Sequence, residues 1–343
     1  MSSKREAFAV PRTLYNAPRD YVEEALAGMV ASYPQHYRFS SSDPRVIVAA
    51  ARAAGRKVGV ISLGGFGHLP VFAGYVGPGL LDACAVGNVF ASPSAAQIVN
   101  AAREADHGHG VVAVVGNYGG DTMNTKLATA LLASEGIALE TVLVTDDVAS
   151  AQQFERENRR GVAGLVLAVK IAGAAADRGG SVEEVAATAI AAMENCRSFG
   201  VALSPCVVPT AGRATFTVAP DEMDLGMGIH GEPGILRRAR AGADEVVDFL
   251  LDRILEDRGD ERPGQVALLV NSLGATPHEE LFIMAKHAFA RLAEEGVGVG
   301  WCEVGRYATS MEMAGASITL LDASAAILEL LKAPATCPFW SVA

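Results

Sequence analysis

The sequence predicts an α/β protein with two domains, each a mixed or parallel sheet covered by helices. Two observations predict this class. Short apolar, β-branched runs alternate with segments of helical periodicity along the chain. The chain has 343 residues, 50% of them apolar, which is enough for two cores of ordinary size. We expect one domain over residues 1–200 and a second over 201–343, because a predicted helix ends near residue 200.

Five buried strands are predicted from short apolar runs that glycine or polar residues bound. They cover residues 57–62, 110–115, 139–145, 265–271 and 297–304. Residues 162–176 form a longer apolar run, which we interpret as a buried strand that leads into a helix. This run contains Lys170 and is shorter than the roughly 20 residues of a membrane span, so no membrane segment is expected.

Two helix starts are marked in the sequence. Ser92 precedes Pro93, and serine at the N-cap with proline at the first helical position favours a helix that begins there. Ser181 and Glu184 have the spacing of a capping box, and apolar residues follow them at helical intervals. The strands and helices therefore alternate, as in sheets that helices cover.

Charge and cysteine usage exclude several classes of function. The formal net charge is −11 and no basic cluster exceeds a pair or a triplet, so nucleic-acid binding is not expected. The five cysteines are scattered and form no C-x-x-C pair, so neither a metal site nor a disulfide framework is predicted. The first residues lack the apolar core of a signal peptide, and we expect a cytoplasmic protein.

Three glycine-rich stretches are candidates for a ligand site: residues 62–70, 116–121 and 226–234. The first two directly follow predicted strands, where open α/β sheets bind ligands. They contain His68 and Asp121, and the third contains His230. Two of these residues also have a plain interpretation: His68 as a packed or surface histidine, and Asp121 as the N-cap of the next helix.

These stretches together resemble the substrate-binding subunit of the dihydroxyacetone kinases. That family has S-G-G-G-S-G-H-E-P, K-N-Y-T-G-D and G-x-G-I-H-G-E-x-G in this order and at about this separation. Further similar stretches lie at residues 74–77, 159–164, 170–174 and 273–277. The resemblance extends from about residue 16 to residue 338.

The resemblance implies a mechanism and assigns roles to residues. The histidine matched by His230 attacks the substrate ketone and forms a reversible hemiaminal, as a neutral imidazole can. The matches to His68 and Asp121 bind the hydroxyl that is phosphorylated, and one of them takes its proton. The glycines matched by Gly65 and Gly67 line the pocket.

The resemblance also implies partners. Members of this type bind no nucleotide themselves, and this sequence contains no G-x-x-x-x-G-K-[ST] pattern. ATP or ADP with Mg is held by a separate helical subunit or by a fused domain, so this chain should need a phosphoryl-donor partner. A homodimer is expected by analogy with the family.

The chain departs from the family pattern around the expected pocket. Phe66 stands in place of a serine, Leu69 in place of a glutamate, and Gly116 in place of a lysine that touches the substrate; Gly119 replaces a threonine. Phe66 adds a ring that can close the site to dihydroxyacetone, and Gly116 and Gly119 open space on the other side, so these changes fit a longer ketose. The expected ligand is dihydroxyacetone or a tetrulose such as erythrulose. They also fit a relative that senses ketoses as a regulatory protein, or an enzyme that acts on ketose phosphates.

Overall fold

The computed structural model describes residues 13–51, 58–259 and 262–343, which form two six-stranded sheets with helices on their faces. The strands of the first sheet are β1 Tyr37–Phe39, β2 Val46–Ala49, β3 Gly59–Phe66, β4 Ala83–Val89, β5 Val111–Gly116 and β6 Leu139–Val144. Their order across the sheet is β1-β2-β4-β3-β5-β6. The last four of these are parallel and the first two are antiparallel to their neighbours.

The second sheet and two small hairpins follow along the chain. These strands are β7 Cys196–Ala202, β8 Val207–Val208, β9 Arg213–Ala214, β10 Glu222–Leu225, β11 Leu236–Ala239, β12 Gln265–Ser272, β13 Gly298–Gly305, β14 Gly315–Asp322, β15 Ala335–Cys337 and β16 Trp340–Val342. The order in the second sheet is β11-β10-β7-β14-β12-β13, and only β12 and β13 in it are parallel. The predicted fold class, with mixed sheets covered by helices, is confirmed.

The helices cover both sheets. They are α1 Tyr21–Ser32, α2 Ala95–Ala105, α3 Gly119–Ser134, α4 Gly164–Asp177, α5 Val182–Met193, α6 Ala243–Arg258, α7 His278–Glu294 and α8 Ala325–Leu331. Helices α2 and α3 pack with the first sheet, α6 and α7 pack with the second, and α4 and α5 contact strands of both. The core therefore continues from one sheet to the other through α4 and α5.

The predicted strands are found close to their expected positions, but three details of the prediction were wrong. Strand β3 continues to Phe66, so the first glycine-rich stretch is partly strand; residue 57 lies outside the described residues. The run over 162–176 contains no strand and is helical from Gly164. Helix α4 is buried on nearly all sides, and such a helix has no polar face that would reveal its period.

The third error concerns the start of α2. Its N-cap is Ser94 and not Ser92: the Ser94 side chain accepts the backbone N–H of Gln97, which bonds back in a capping box. The capping box of Ser181 and Glu184 is present as predicted.

The proposed domain boundary at residue 200 falls inside β7. The end of the chain also returns to the first half, since Leu330, Leu331 and Trp340 belong to the core cluster around α4. The division into residues 1–200 and 201–343 remains a prediction.

An ion-pair cluster around Asp257 joins the two halves. Asp257, on α6, contacts Arg197 of β7 at 2.9 Å and pairs with Arg159, which precedes α4. The side chain of Arg159 is 3% exposed and that of Arg197 is 9% exposed. Removing one carboxylate would therefore leave two buried cations without a counter-ion.

We expect Asp257→Ala to lower the free energy of unfolding by about 3–5 kcal/mol, because it breaks buried pairs from one side. The matched control is Asp252→Ala on the same helix, whose side chain is 50% exposed, and it should cost less than about 1 kcal/mol. Urea unfolding of both variants measures the difference. Equal midpoints for the two variants would contradict the prediction.

Candidate active site

The site lies where three neighbouring parallel strands end. His68 follows β3, Phe90 follows β4, and Asp121 lies in the first turn of α3, just after β5. Because β4, β3 and β5 are adjacent and parallel, their carboxyl ends meet at one edge of the sheet. The topology thus brings together the first two predicted glycine-rich stretches.

His230 reaches this edge from the connection between β10 and β11. Its ring meets the ring of His68 edge-on at 4.7 Å between centroids, and that of Tyr118 at 4.3 Å. Gly231 has φ +75°, and a Cβ there would lie 2.5 Å from the Thr215 side chain, so this bend requires glycine. All three predicted stretches converge, as expected.

His68 is held as a neutral imidazole with one free nitrogen. Its Nδ1 lies 2.7 Å from the carbonyl oxygen of Thr309, which can only accept, so Nδ1 carries the proton. Nε2 is buried and has no partner within the described part of the chain. Burial, aided by the charge of His230, lowers the pKa of His68 to about 3, although the bond to Thr309 opposes this shift. Nε2 therefore offers a lone pair at neutral pH.

Asp121 is also buried with one oxygen free. Burial raises the pKa of Asp121, against the opposing effects of a hydrogen bond from Ser92 and of the charge of His230. Oδ1 has no partner among the described residues. The N-cap of α3 is Tyr118, so the interpretation of Asp121 as N-cap was wrong. Ser92, which was predicted to begin α2, instead forms a hydrogen bond with the Asp121 side chain.

Glu232 and Arg160 support His230, and neither of them was assigned a role from the sequence. Glu232 accepts the backbone N–H of His230 at 3.0 Å, and its second oxygen lies 3.6 Å from the ring Nδ1. Burial raises the pKa of Glu232, but the hydrogen bond and charge of His230 and the charge of Arg160 outweigh it and lower this pKa to about 2. Arg160 also donates to Asp147 at 2.8 Å and to the Gly226 carbonyl at 3.1 Å.

This carboxylate favours a proton on Nδ1 of His230. Nε2 then carries the lone pair, as a nucleophile requires. Glu232 lies within the matched stretch 226–234, and Arg160 within the matched stretch 159–164. Nothing in the spacing of these stretches indicated that they would meet.

Two aromatic rings complete the walls, and neither was predicted from the sequence to line the site. Phe90 stacks on His68 at 5.0 Å and meets His230 edge-on at 5.6 Å. Its backbone φ is +57°, an unfavourable value for a bulky residue. Tyr118 donates from its hydroxyl to the Gly161 carbonyl at 3.0 Å. No periodicity or motif in the sequence marked Phe90.

The remaining predicted pocket residues have varied surroundings. Phe66 packs edge-on against Tyr21 at 6.0 Å and lines a neighbouring cavity together with Gly67. A Cβ at Gly65 would lie 2.7 Å from the backbone nitrogen of Ala91, so close approach to the end of β4 requires glycine there. The roles of these residues in substrate binding remain predictions.

Gly116 does not open space as expected. A Cβ at this position would lie 3.3 Å from the ring of Tyr118, which occupies that side. Around Gly119, by contrast, a Cβ would meet nothing within 4 Å.

Among residues 13–51, 58–259 and 262–343, no group of His, Cys, Asp and Glu is placed to hold a metal ion. No described helix is long and apolar enough to cross a membrane.

Comparison with known proteins shows the family to which the chain belongs. The chain is 41% identical over 331 residues to a PTS-dependent dihydroxyacetone kinase 2, dihydroxyacetone-binding subunit DhaK, of Listeria innocua, covering 96% of this chain and 99% of the relative. It is 38% identical to an L-erythrulose 1-kinase of Mycolicibacterium smegmatis, where it covers 95% of this chain but only 57% of the relative.

Two solved structures have the same fold. The dihydroxyacetone kinase of C. freundii, in complex with AMP-PNP and Mg²⁺, superimposes with a TM-score of 0.88 at 30% identity, over 96% of this chain and 61% of that one. A dihydroxyacetone kinase operon co-activator, Dha-DhaQ, gives 0.86 at 32% identity, over 93% of this chain and 98% of that one. The Dak1 domain matches residues 27–339. The chain therefore belongs to the Dak1 domain family, and its relatives include dihydroxyacetone-binding subunits.

Proposed function

We propose that this chain holds a short ketose, dihydroxyacetone or a tetrulose such as erythrulose, as a hemiaminal on His230. A partner subunit then phosphorylates the terminal hydroxyl. The observation that carries this proposal is the pair of adjacent imidazoles, 4.7 Å apart, of which His68 has a buried Nε2 with no partner among the described residues. The named substrates of the relatives in Listeria and Mycolicibacterium support the class of ligand.

The geometry supports the addition step. Nε2 of His230 attacks the carbonyl carbon, and the π electron pair of the carbonyl moves to its oxygen. The attack leaves a positive charge on the His230 ring, and the Glu232 carboxylate, 3.6 Å from Nδ1, stabilises this imidazolium. Nδ1 then loses its proton and the former carbonyl oxygen gains one. No atom leaves, so the adduct has the combined mass of protein and ketose. Glycerol has no carbonyl and cannot form it.

His68 and Asp121 would act on the hydroxyl that receives the phosphoryl group. The free Nε2 of His68 can accept the hydroxyl proton, and Asp121 has a free buried oxygen for a second hydrogen bond. A base and an acceptor so placed orient the hydroxyl oxygen and remove its proton as phosphate arrives. Phe90 and Tyr118 limit access of water to the same space.

The phosphoryl donor is proposed to lie on another subunit. The chain spans only 57% of the L-erythrulose 1-kinase, so that relative has sequence beyond the matched part. We propose that ATP or ADP with Mg is bound by such a partner, that this chain forms a homodimer, and that both act in the cytoplasm.

The purified chain should accordingly transfer no phosphate by itself. With ketose, ATP and Mg²⁺ we expect no ketose phosphate above the background without protein, because the sequence contains no G-x-x-x-x-G-K-[ST] pattern to cradle a nucleotide phosphate. Phosphorus NMR of the reaction mixture measures the product. The full-length L-erythrulose 1-kinase relative provides the positive control. Turnover by this chain alone would refute the separation of ketose and donor.

A ketose-sensing regulatory protein is the second candidate, favoured by the match to the operon co-activator over 98% of that protein. In the kinase the bound ketose is phosphorylated, whereas in the sensor it is only bound. A chain that forms the adduct, but yields no phosphorylated ketose with any donor subunit, would support the sensor.

A further inference from the structure

A second cavity adjoins the candidate active site. Its volume is about 260 Å³, and it is lined among others by Phe66, Gly67 and Thr309. Gly67 precedes His68 in the chain, and the carbonyl of Thr309 holds the His68 ring. The cavity therefore borders the loop that positions His68.

Gly67 and Met311 line this cavity, and the ring of Phe90, which packs against His68 and His230, lies beside them. A Cβ at Gly67 would lie 2.9 Å from the ring of Phe90 and 3.3 Å from Cγ of Met311. Phe90 and Met311, with φ +57° and +54°, are the non-glycine residues with positive φ in the described chain. Strained backbone of this kind clusters at ligand sites. Side chains such as those of Phe90 and Met311 can rotate, whereas the strands of a sheet are fixed by their hydrogen bonds.

The polar groups of this cavity suit a neutral, hydroxylated ligand. Arg306 and Glu312 both line it. Glu312 accepts the Val207 backbone N–H with one oxygen at 2.8 Å, which leaves the second for a ligand. A guanidinium that only donates and a carboxylate that only accepts can together bind vicinal hydroxyls, whereas the carboxylate would repel an anion.

Aromatic faces provide the rest of the lining. Tyr15 meets Tyr21 edge-on at 5.8 Å, and Tyr21 meets Phe66 at 6.0 Å. Rings of this kind pack against the C–H groups of a carbohydrate chain, while charged groups bind its hydroxyls. Phe66, which replaces the serine of the family pattern, thus contributes to this cavity.

We infer that this cavity is a second subsite, which binds the hydroxylated tail of a five- or six-carbon ketose whose carbonyl end is held at His230. The inference rests on the proposed function and extends it to longer ketoses. Arg306 and Glu312 would recognise the tail hydroxyls, and Phe90 and Met311 would move apart to let the chain pass.

The test compares dihydroxyacetone with the ketopentose xylulose by calorimetric titration and by intact-protein mass. We expect Arg306→Gln to weaken xylulose binding about tenfold, as loss of a charged hydrogen-bond donor does, and to leave dihydroxyacetone binding unchanged. Glu312→Gln should act in the same direction, since it keeps an oxygen for Val207 and loses the charge. Arg253→Gln, on the exposed face of α6, is the matched control.

The outcomes separate this inference from the function on which it rests. An unchanged ratio of xylulose to dihydroxyacetone affinity in both variants overturns the second subsite and leaves the ketose site in place. A preference for xylulose 5-phosphate that depends on Arg306 overturns the neutral tail and favours an enzyme of ketose phosphates. Absence of any adduct with either sugar overturns the proposed function, and the subsite with it.

Discussion

Replacing His230 with alanine is expected to abolish the covalent adduct with dihydroxyacetone or erythrulose. The wild-type chain should gain the full mass of the ketose, because the addition expels no water, and the variant should gain none. Affinity for the ketose should fall at least about tenfold, which corresponds to about 1.4 kcal/mol. Discrimination against glycerol should fall with it, since only the carbonyl distinguishes the two.

The measurement is intact-protein mass spectrometry with a parallel calorimetric titration. His287→Ala provides a matched control, because this histidine lies on α7 and pairs with Asp248 at 2.8 Å, away from the site. It should form the adduct normally. An unchanged affinity in His230→Ala would remove the hemiaminal from the mechanism and place the sensor ahead of the kinase.

Replacing His68 or Asp121 with asparagine should have the opposite pattern. The adduct should still form, because these side chains are proposed to serve the hydroxyl and not the carbonyl. Phosphoryl transfer in the presence of a donor subunit should slow by about 10²- to 10⁴-fold, the usual contribution of a positioned base. Single-turnover kinetics after adduct formation measures this step.

The pH dependence adds a second measurement for His68. With a pKa of about 3, its imidazole is already neutral throughout pH 5–8, so the transfer rate should show no inflection from His68 in that range. An acidic limb near pH 6.5 that disappears in His68→Asn would contradict the buried, neutral histidine. Loss of the adduct in either variant would contradict the division of labour between the three residues.

The fold could be predicted in outline because buried parallel strands leave a clear pattern. Strand β5 is a continuous apolar run between Gly110 and Gly116, and local composition suffices to find it. Helix α4 could not be predicted in the same way. Helix α4 is covered by strands of both sheets, so it needs no polar face. Without a polar face its sequence shows no helical period, and the packing that covers it cannot be read from local composition.

Only the site residues that lie in recognisable motifs could be predicted from the sequence. His68, Asp121 and His230 lie in matched stretches, and their convergence followed from those stretches. Phe90 could not be predicted, because its role depends on β4 lying next to β3, which is a long-range pairing. The effect of the Arg160 charge on Glu232 could not be predicted either, because the two residues are distant along the chain and come near each other only in the folded structure.

The carbonyl of Thr309 that fixes His68 comes from the segment between β13 and β14, far along the chain from the histidine that it holds. Ketose bound across His68 and His230 would fasten distant parts of the polypeptide to one another. By mass action, ketose at 100 times its dissociation constant would add about 2.7 kcal/mol to the stability of the folded chain. The sugar supply of the cell would then set how often this protein opens to proteases, so that abundance of the protein would follow abundance of its own ligand.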